Sequence, residues 1–219
     1  HTGGLGSITP TMQNYQTPYS ELETDLEGIK LIETALTGKD PYNEELHHLK
    51  EHSIELALTW LHHAMKGKSF KLLPILCGSF QKFIVDKQQP DNDETIRNVI
   101  DSMSEYRKKA RTLVIAAGDL AHVGPEFGDA TPMDELSLAN LASKDHISLA
   151  SIERGDPDNF FETSAEEADV RKICGLTPMY LMGKILTDCR GYSVGYDQCP
   201  ADQNRTSFVS IAGTLLFGE

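Results

Sequence analysis

Residues 112–124, Thr-Leu-Val-Ile-Ala-Ala-Gly-Asp-Leu-Ala-His-Val-Gly, constrain this chain more than any other stretch. An apolar run rich in β-branched residues ends in Gly118, and Asp119 and His122 follow at once. Such a run reads as a buried strand over 112–117 that delivers polar groups to the carboxyl edge of a sheet, where open α/β folds keep their sites. Asp and His both carry protons and both ligate metals, so their position is a functional signal. The plainer alternative is a loop aspartate capping a turn beside an incidental histidine.

The rest of the chain supplies helices to cover such a strand. Residues 1–20 are punctuated by Gly3, Gly4, Gly6, Pro10 and Pro18 and read as loop and turn. Thr24 or Asp25 can cap a helix bearing Leu26, Ile29, Ile32 and Leu36 on one face. The same spacing predicts a helix over roughly 52–66, and Asp93 or Thr95 begins another with Ile96, Val99, Ile100, Met103 and Tyr106 inward. Residues 70–76 read as a strand interrupted by Pro74, hence near an edge or bulge. From about 133 to 187 the chain is helix-rich, and Thr177-Pro178 suits an N-cap followed by the first helical residue. Runs at 192–196 and 207–216 read as adjacent strands, so part of the sheet is antiparallel. Helices alternating with buried strands imply an α/β fold, a layered α/β/α domain with a mixed sheet.

Several classes are excluded by composition. The formal net charge of −13 and the lack of a basic stripe argue against nucleic acid as a partner. No apolar run approaches the ~20 residues that cross a bilayer, and no signal peptide is visible, so the expectation is a cytoplasmic protein without membrane attachment. The cysteines at 77, 174, 189 and 199 form no CxxC pair and no zinc-finger spacing. Cys77 closes an apolar strand and reads as a core thiol, and Cys189 and Cys199 stay free in a reducing cytosol. His47-His48 and His62-His63 tempt as metal pairs, but adjacent residues diverge on a helix and are expected to face solvent.

Seven segments in order carry a resemblance over essentially the whole chain. They are His1 before a Gly-rich turn, Gln-Thr-Pro at 16–18, Glu-His-Ser-Ile-Glu at 51–55, Leu-Pro-Ile-Leu-Cys-Gly at 73–78, Gly-Asp-Leu-Ala-His at 118–122, Cys-Gly-Leu-Thr-Pro at 174–178, and a closing strand. In this order they resemble the Memo family, whose bacterial members are called AmmeMemoRadiSam system protein B. The resemblance implies the α/β fold shared with the class III extradiol dioxygenases. It also implies a chain that opens mid-fold: a single Memo-like domain over 1–219, N-terminally truncated and lacking the first βα segment with its Pro-His-Ala-Gly-type motif.

The same resemblance implies a mononuclear metal site of two histidines and one cysteine. His1 matches the second histidine ligand and Cys174 the cysteine, while the first histidine, the third protein ligand, is absent from this sequence. The metal implied is Fe(II), with copper as the alternative. Asp119 and His122 match the family's acid/base element, His122 taking a proton from a hydroxyl and Asp119 orienting the imidazole. Where the family commonly reads Ser-Ser-Asp-Phe-Ser/Cys-His, this chain has Ala-Gly-Asp-Leu-Ala-His at 117–122, losing small hydroxyls and an aromatic ring. Glu51, His52 and Glu55 are expected in the pocket's outer shell, although a charged first helical turn explains them as well. The expected function is metal-centred redox chemistry on a small-molecule or peptide substrate, alongside AMMECR-type and radical-SAM partner proteins. The alternatives are a non-catalytic peptide-binding module and a metal carrier using the same pocket.

Overall fold

The computed structural model describes residues 8–38, 40–66, 68–109 and 111–218 and has a mixed α/β architecture. Its residues cluster into two units, one made of the chain up to 82 with 90–117, the other of 83–89 with the chain from 118 onward.

The first unit opens with β1 (Ile8–Pro10), then a hairpin of β2 (Tyr15–Gln16) and β3 (Glu21–Leu22). Helix α1 (Leu26–Ala35) starts at Asp25, whose carboxylate accepts the Glu27 N–H, as the capping residue suggests. Its buried face carries Gly28, Ile29, Ile32 and Ala35, while Leu26 is half exposed. Helix α2 (Ser53–Met65) matches the 52–66 expectation, and β4 (Ile75–Cys77) pairs antiparallel with β1. Helix α3 (Gln81–Asp86) has its residues from 83 onward in the second unit; α4 (Glu94–Lys109) belongs to the first and is capped by Asp93, which accepts the Thr95 and Ile96 N–H groups at 3.0 and 3.2 Å. Ile96, Val99, Ile100 and Met103 are its buried residues, and α4 packs on α1.

The second unit holds β5 (His122–Val123), α5 (Glu135–Glu153), α6 (Pro157–Glu166), α7 (Leu176–Leu186), β6 (Cys189–Pro200) and β7 (Phe208–Gly218). The strands form one antiparallel sheet in the order β5-β7-β6, with an irregularity between Ser193 and Gly195. Helix α5 lies against β6 and β7 on one side and α6 on the other, and α6 packs on α7. Phe160 and Tyr180 are fully buried at this helical contact. Among the described residues no helix is long and apolar enough to cross a membrane.

Four local expectations need correction. Residues 112–117 do not form a strand, and Leu113 and Ile115 are 70% and 48% exposed. A β-branched apolar run is only a candidate; a strand exists where a neighbour supplies the hydrogen-bond ladder, and none of the described strands pairs with it. In the 70–76 run, regular pairing begins after Pro74, which has no N–H to give, and only Leu72 makes an isolated parallel bridge, to Thr24. Helix α7 starts one residue before Thr177, with Gly175 as its cap. His48 and His62 do not face solvent. The Tyr15 hydroxyl lies 2.6 Å from His48 Nδ1, Thr17 Oγ1 lies 2.8 Å from His62 Nδ1, and Tyr19 lies 3.0 Å from His63 Nδ1. Three hydroxyl–imidazole contacts thus fasten the turn at 15–19 to the segment 48–63.

Candidate metal centre

Asp119, His122 and Cys174 converge in the second unit, each offering a ligand atom within 4.8 Å of the others. Backbone contacts, more than side-chain packing, bring these residues together across 55 positions. On one side, residues 120–122 are held by β7: Leu120 N–H donates to Ser210 O at 2.9 Å, and Ser210 N–H donates to Ala121 O at 2.9 Å. The Ser210 hydroxyl accepts the Ala121 N–H at 2.9 Å, and Leu120 and Ala121 are almost fully buried. Leu120 and Ala121 therefore act as an anchor, and Asp119 and His122 flank it.

On the other side, the chain between α6 and α7 folds through three non-glycine residues with left-handed backbone, Ala168, Asp169 and Lys172, at φ between 51° and 53°. This loop ends against the 118–119 segment. Gly175 N–H donates to Asp119 O at 2.9 Å. A Cβ on Gly118 would lie 2.6 Å from Gly175 Cα, and one on Gly175 would lie 2.8 Å from Asp119 O. Two glycines are thus required for the approach that sets Cys174 Sγ 3.0 Å from the Asp119 N–H and 3.5 Å from its carbonyl oxygen. The neutral thiol can donate to that carbonyl and the thiolate can accept from that N–H. Cys174 also immediately precedes the N-cap of α7, where the helix dipole favours the thiolate.

Ring orientation at His122 follows from its neighbours. Nδ1 lies 3.2 Å from the Lys172 carbonyl oxygen, an acceptor only, a contact that becomes a hydrogen bond when the ring proton is on Nδ1. Nε2 lies 3.8 Å from Asp119 Oδ2. The Phe127 ring meets the imidazole edge to face at 5.1 Å. The His122 side chain is mostly buried, at 18% exposure, while that of Asp119 is 49% exposed.

Behind this pair sits a charged cluster that no motif announced. The Arg171 guanidinium, 3% exposed, donates to Asp145 at 2.7 Å, to Ser148 at 2.9 Å and to Glu167, and Arg171 O accepts the His122 N–H at 2.7 Å. Lys172 Nζ pairs with Asp129 at 2.6 Å. Burial works to raise the Asp129 carboxyl, but bonds from Lys172 and the Gly124 N–H outweigh it and hold it below the usual carboxylate range. Arg171 and Lys172 stand three and two positions before Cys174 as adjacent charges that form no motif.

His1 lies outside the described residues. Glu51, His52 and Glu55 belong to the first unit. Glu51 is buried just ahead of α2, its carboxylate accepting the His52 and Ser53 N–H groups at 2.9 and 3.0 Å; burial opposes its ionisation, yet these donors pull the carboxyl below its ordinary range. His52 is exposed. Glu55 lines a cleft of about 450 Å³ with Tyr15, His48, Glu45 and Thr11. Burial, then the Glu51 and Glu55 charges, push the Tyr15 phenol up to about 12.

The model of a family described as Memo-like protein matches residues 1–215. The chain is 29% identical over 146 residues to MEMO1 family protein TTHA0924 of Thermus thermophilus, covering 66% of this chain and 38% of that protein. It is 30% identical over 185 residues to a MEMO1 family protein of Sulfolobus acidocaldarius, covering 82% and 54%. Against the protein memo-1 homolog of Caenorhabditis elegans it is 25% identical over 186 residues, covering 81% and 47%. The chain therefore spans about half the length of the curated relatives it matches.

Proposed function

This chain belongs to the Memo-like protein family, and on that premise we propose that it is a metal-binding redox protein with a mononuclear iron or copper centre at Cys174. The observation that carries the reading is the convergence of sulfur, imidazole nitrogen and carboxylate oxygen within 4.8 Å. The donor set fits such an ion. Bonds of roughly 2.0–2.3 Å place tetrahedral donors about 3.3–3.8 Å apart. His122 Nε2 and Asp119 Oδ2, 3.8 Å apart, already stand at that spacing. Soft thiolate with imidazole suits iron or copper better than magnesium or calcium. His1, outside the described residues, is proposed as a further ligand through the family resemblance.

When bound, the metal supplies one-electron redox chemistry and a Lewis-acid position for a substrate oxygen. The protein's own groups do the rest. The Asp119 N–H and the start of α7 would favour the thiolate of Cys174 that a metal takes. Where His1 supplies the imidazole ligand, His122, its Nδ1 directed to the Lys172 carbonyl, keeps Nε2 off the metal as a base for a substrate hydroxyl at the site. Asp119 stabilises the imidazolium that this produces. A small-molecule or peptide hydroxyl is the proposed substrate class, and cooperation with AMMECR-type and radical-SAM proteins is proposed from the family resemblance.

The test is anaerobic reconstitution with Fe(II) and with Cu(II), measuring stoichiometry and the thiolate-to-metal charge-transfer band. Near-stoichiometric binding lost in Cys174→Ser supports the centre, and absence of binding in the wild-type chain refutes it. If His122→Ala retains metal but loses substrate-dependent oxygen consumption, His122 is the base. A metal-loaded chain that consumes no oxygen with any hydroxyl substrate is a carrier.

A further inference from the structure

We infer that Lys172 is a positioning residue for His122, fixing which ring nitrogen faces the Asp119–Cys174 cluster; the inference rests on the metal-site reading above. In water a neutral imidazole prefers its proton on Nε2, which would leave Nδ1 as the basic atom. Here the opposite form is favoured, because Nδ1 lies 3.2 Å from the Lys172 carbonyl oxygen, which can only accept. That carbonyl does not point at His122 by default. It is presented there by a left-handed backbone at Lys172, φ 53°, a conformation that non-glycine residues adopt only when their surroundings enforce it.

The enforcing contacts are made by the lysine's own side chain, which folds back across the strand that carries His122. Nζ lies 2.6 Å from Asp129 Oδ1, 3.4 Å from His122 O and 3.5 Å from Val170 O. Asp129 in turn accepts the Gly124 N–H at 2.7 Å, two residues beyond His122. Lys172 therefore grips the His122 segment twice, by its ammonium from one side and its carbonyl from the other. The Lys172 N–H donates to Asp169 O at 2.8 Å, which fixes the turn from behind. Carbonyl partners that select the tautomer of a ligating or basic histidine are a general device of metal sites. In this chain the device is a lysine main chain steered by its own ion pair.

The test is a nitrogen-15 long-range correlation spectrum of the imidazoles in the full chain without metal, at about pH 8.5, above the ordinary imidazole range. His122→Gln identifies the resonance. The expected result is a proton on Nδ1 of His122 in the wild type and in Lys172→Arg, which keeps the ion pair. Lys172→Gly keeps the left-handed backbone accessible but removes the ammonium, and there the proton moves toward Nε2. Asp129→Asn gives the same shift and decides the matter should Lys172→Gly fail to fold. A wild-type proton on Nε2, or an unchanged proton on Nδ1 in both Lys172→Gly and Asp129→Asn, overturns the inference. A Co(II) titration separates the two readings. If the metal centre is right, Lys172→Gly weakens Co(II) binding by about 10-fold or more. If the wild type takes up no Co(II) while the tautomer pattern holds, the metal centre fails and the positioning role stands.

Discussion

Replacing Arg171 by alanine is expected to damage the second unit more than any other single charge deletion described above. The guanidinium is 3% exposed and serves Asp145, Ser148 and Glu167 at once. Asp145 is itself fully buried, and without Arg171 its carboxylate keeps the Tyr196 hydroxyl at 2.9 Å as a donor but loses its positive partner. Removing one member of a buried ion pair costs about 3–5 kcal/mol, chiefly because the abandoned charge stays desolvated. At roughly 2–4 °C per kcal/mol for a chain of this size, the melting temperature falls by about 6–20 °C. The internal control uses the same acceptor. Lys144 also pairs with Glu167, at 2.9 Å, but its side chain is 51% exposed, so Lys144→Ala costs less than about 1 kcal/mol. Calorimetric melts of both variants at neutral pH decide the point. A loss of under about 1 kcal/mol for Arg171→Ala, or equal losses for the two, refutes the argument that burial makes this pair matter.

Gly118→Ala puts a Cβ 2.6 Å from Gly175 Cα, so the loop carrying Cys174 must retreat; the expected cost is about 1–3 kcal/mol, read by melting, with the charge-transfer band lost in proportion. The Tyr15 phenol is pushed up to about 12 by burial and by Glu51 and Glu55, above its unfolded value of about 10. Folding therefore favours the protonated phenol: its contribution is fully present below pH 10 and disappears as pH rises toward 12. Tyr15→Phe should flatten the stability loss in that window, measured by urea unfolding at stepped pH. Asp25 is held below its ordinary range, first by the Tyr106 hydroxyl, so its contribution is present above the ordinary carboxylate pKa and fades as pH drops through the lowered folded value. Asp25→Asn should reduce acid sensitivity of the first unit, and an unchanged acid midpoint would contradict the assignment.

What the sequence discloses here depends on how local the deciding contact is. Asp25 and Asp93 cap their helices as their positions suggest, because capping is settled within three residues. The closing strands are legible for the same reason and prove longer than the apolar runs, since ladder bonds extend through polar neighbours. Residues 112–117 mislead because composition reports suitability for a strand while the partner lies elsewhere in the chain. Thr177-Pro178 looks like a helix start, but Gly175 takes that place because its N–H is committed to Asp119 O and no other residue fits the contact. Asp119 and His122 stand out through their neighbours in sequence. Their meeting with Cys174 was accessible only through the family resemblance, and the support from Arg171 and Lys172 through no motif at all, since it depends on a left-handed turn that charge patterns do not encode.

The hydroxyl–imidazole fastening of the first unit bears on how any loading experiment is to be read. His48 has Nδ1 at the Tyr15 hydroxyl and Nε2 2.9 Å from Thr9 O, so both ring nitrogens are in use. A surplus ion that captures these imidazoles through the atoms now engaged must first release the turn at 15–19 from the segment 48–63. Off-target uptake is thereby marked by a fall in melting temperature, whereas uptake by a native centre raises it, because a ligand that prefers the folded state stabilises it. The sign of the thermal shift distinguishes a resident ion from a scavenged one before any spectrum is recorded.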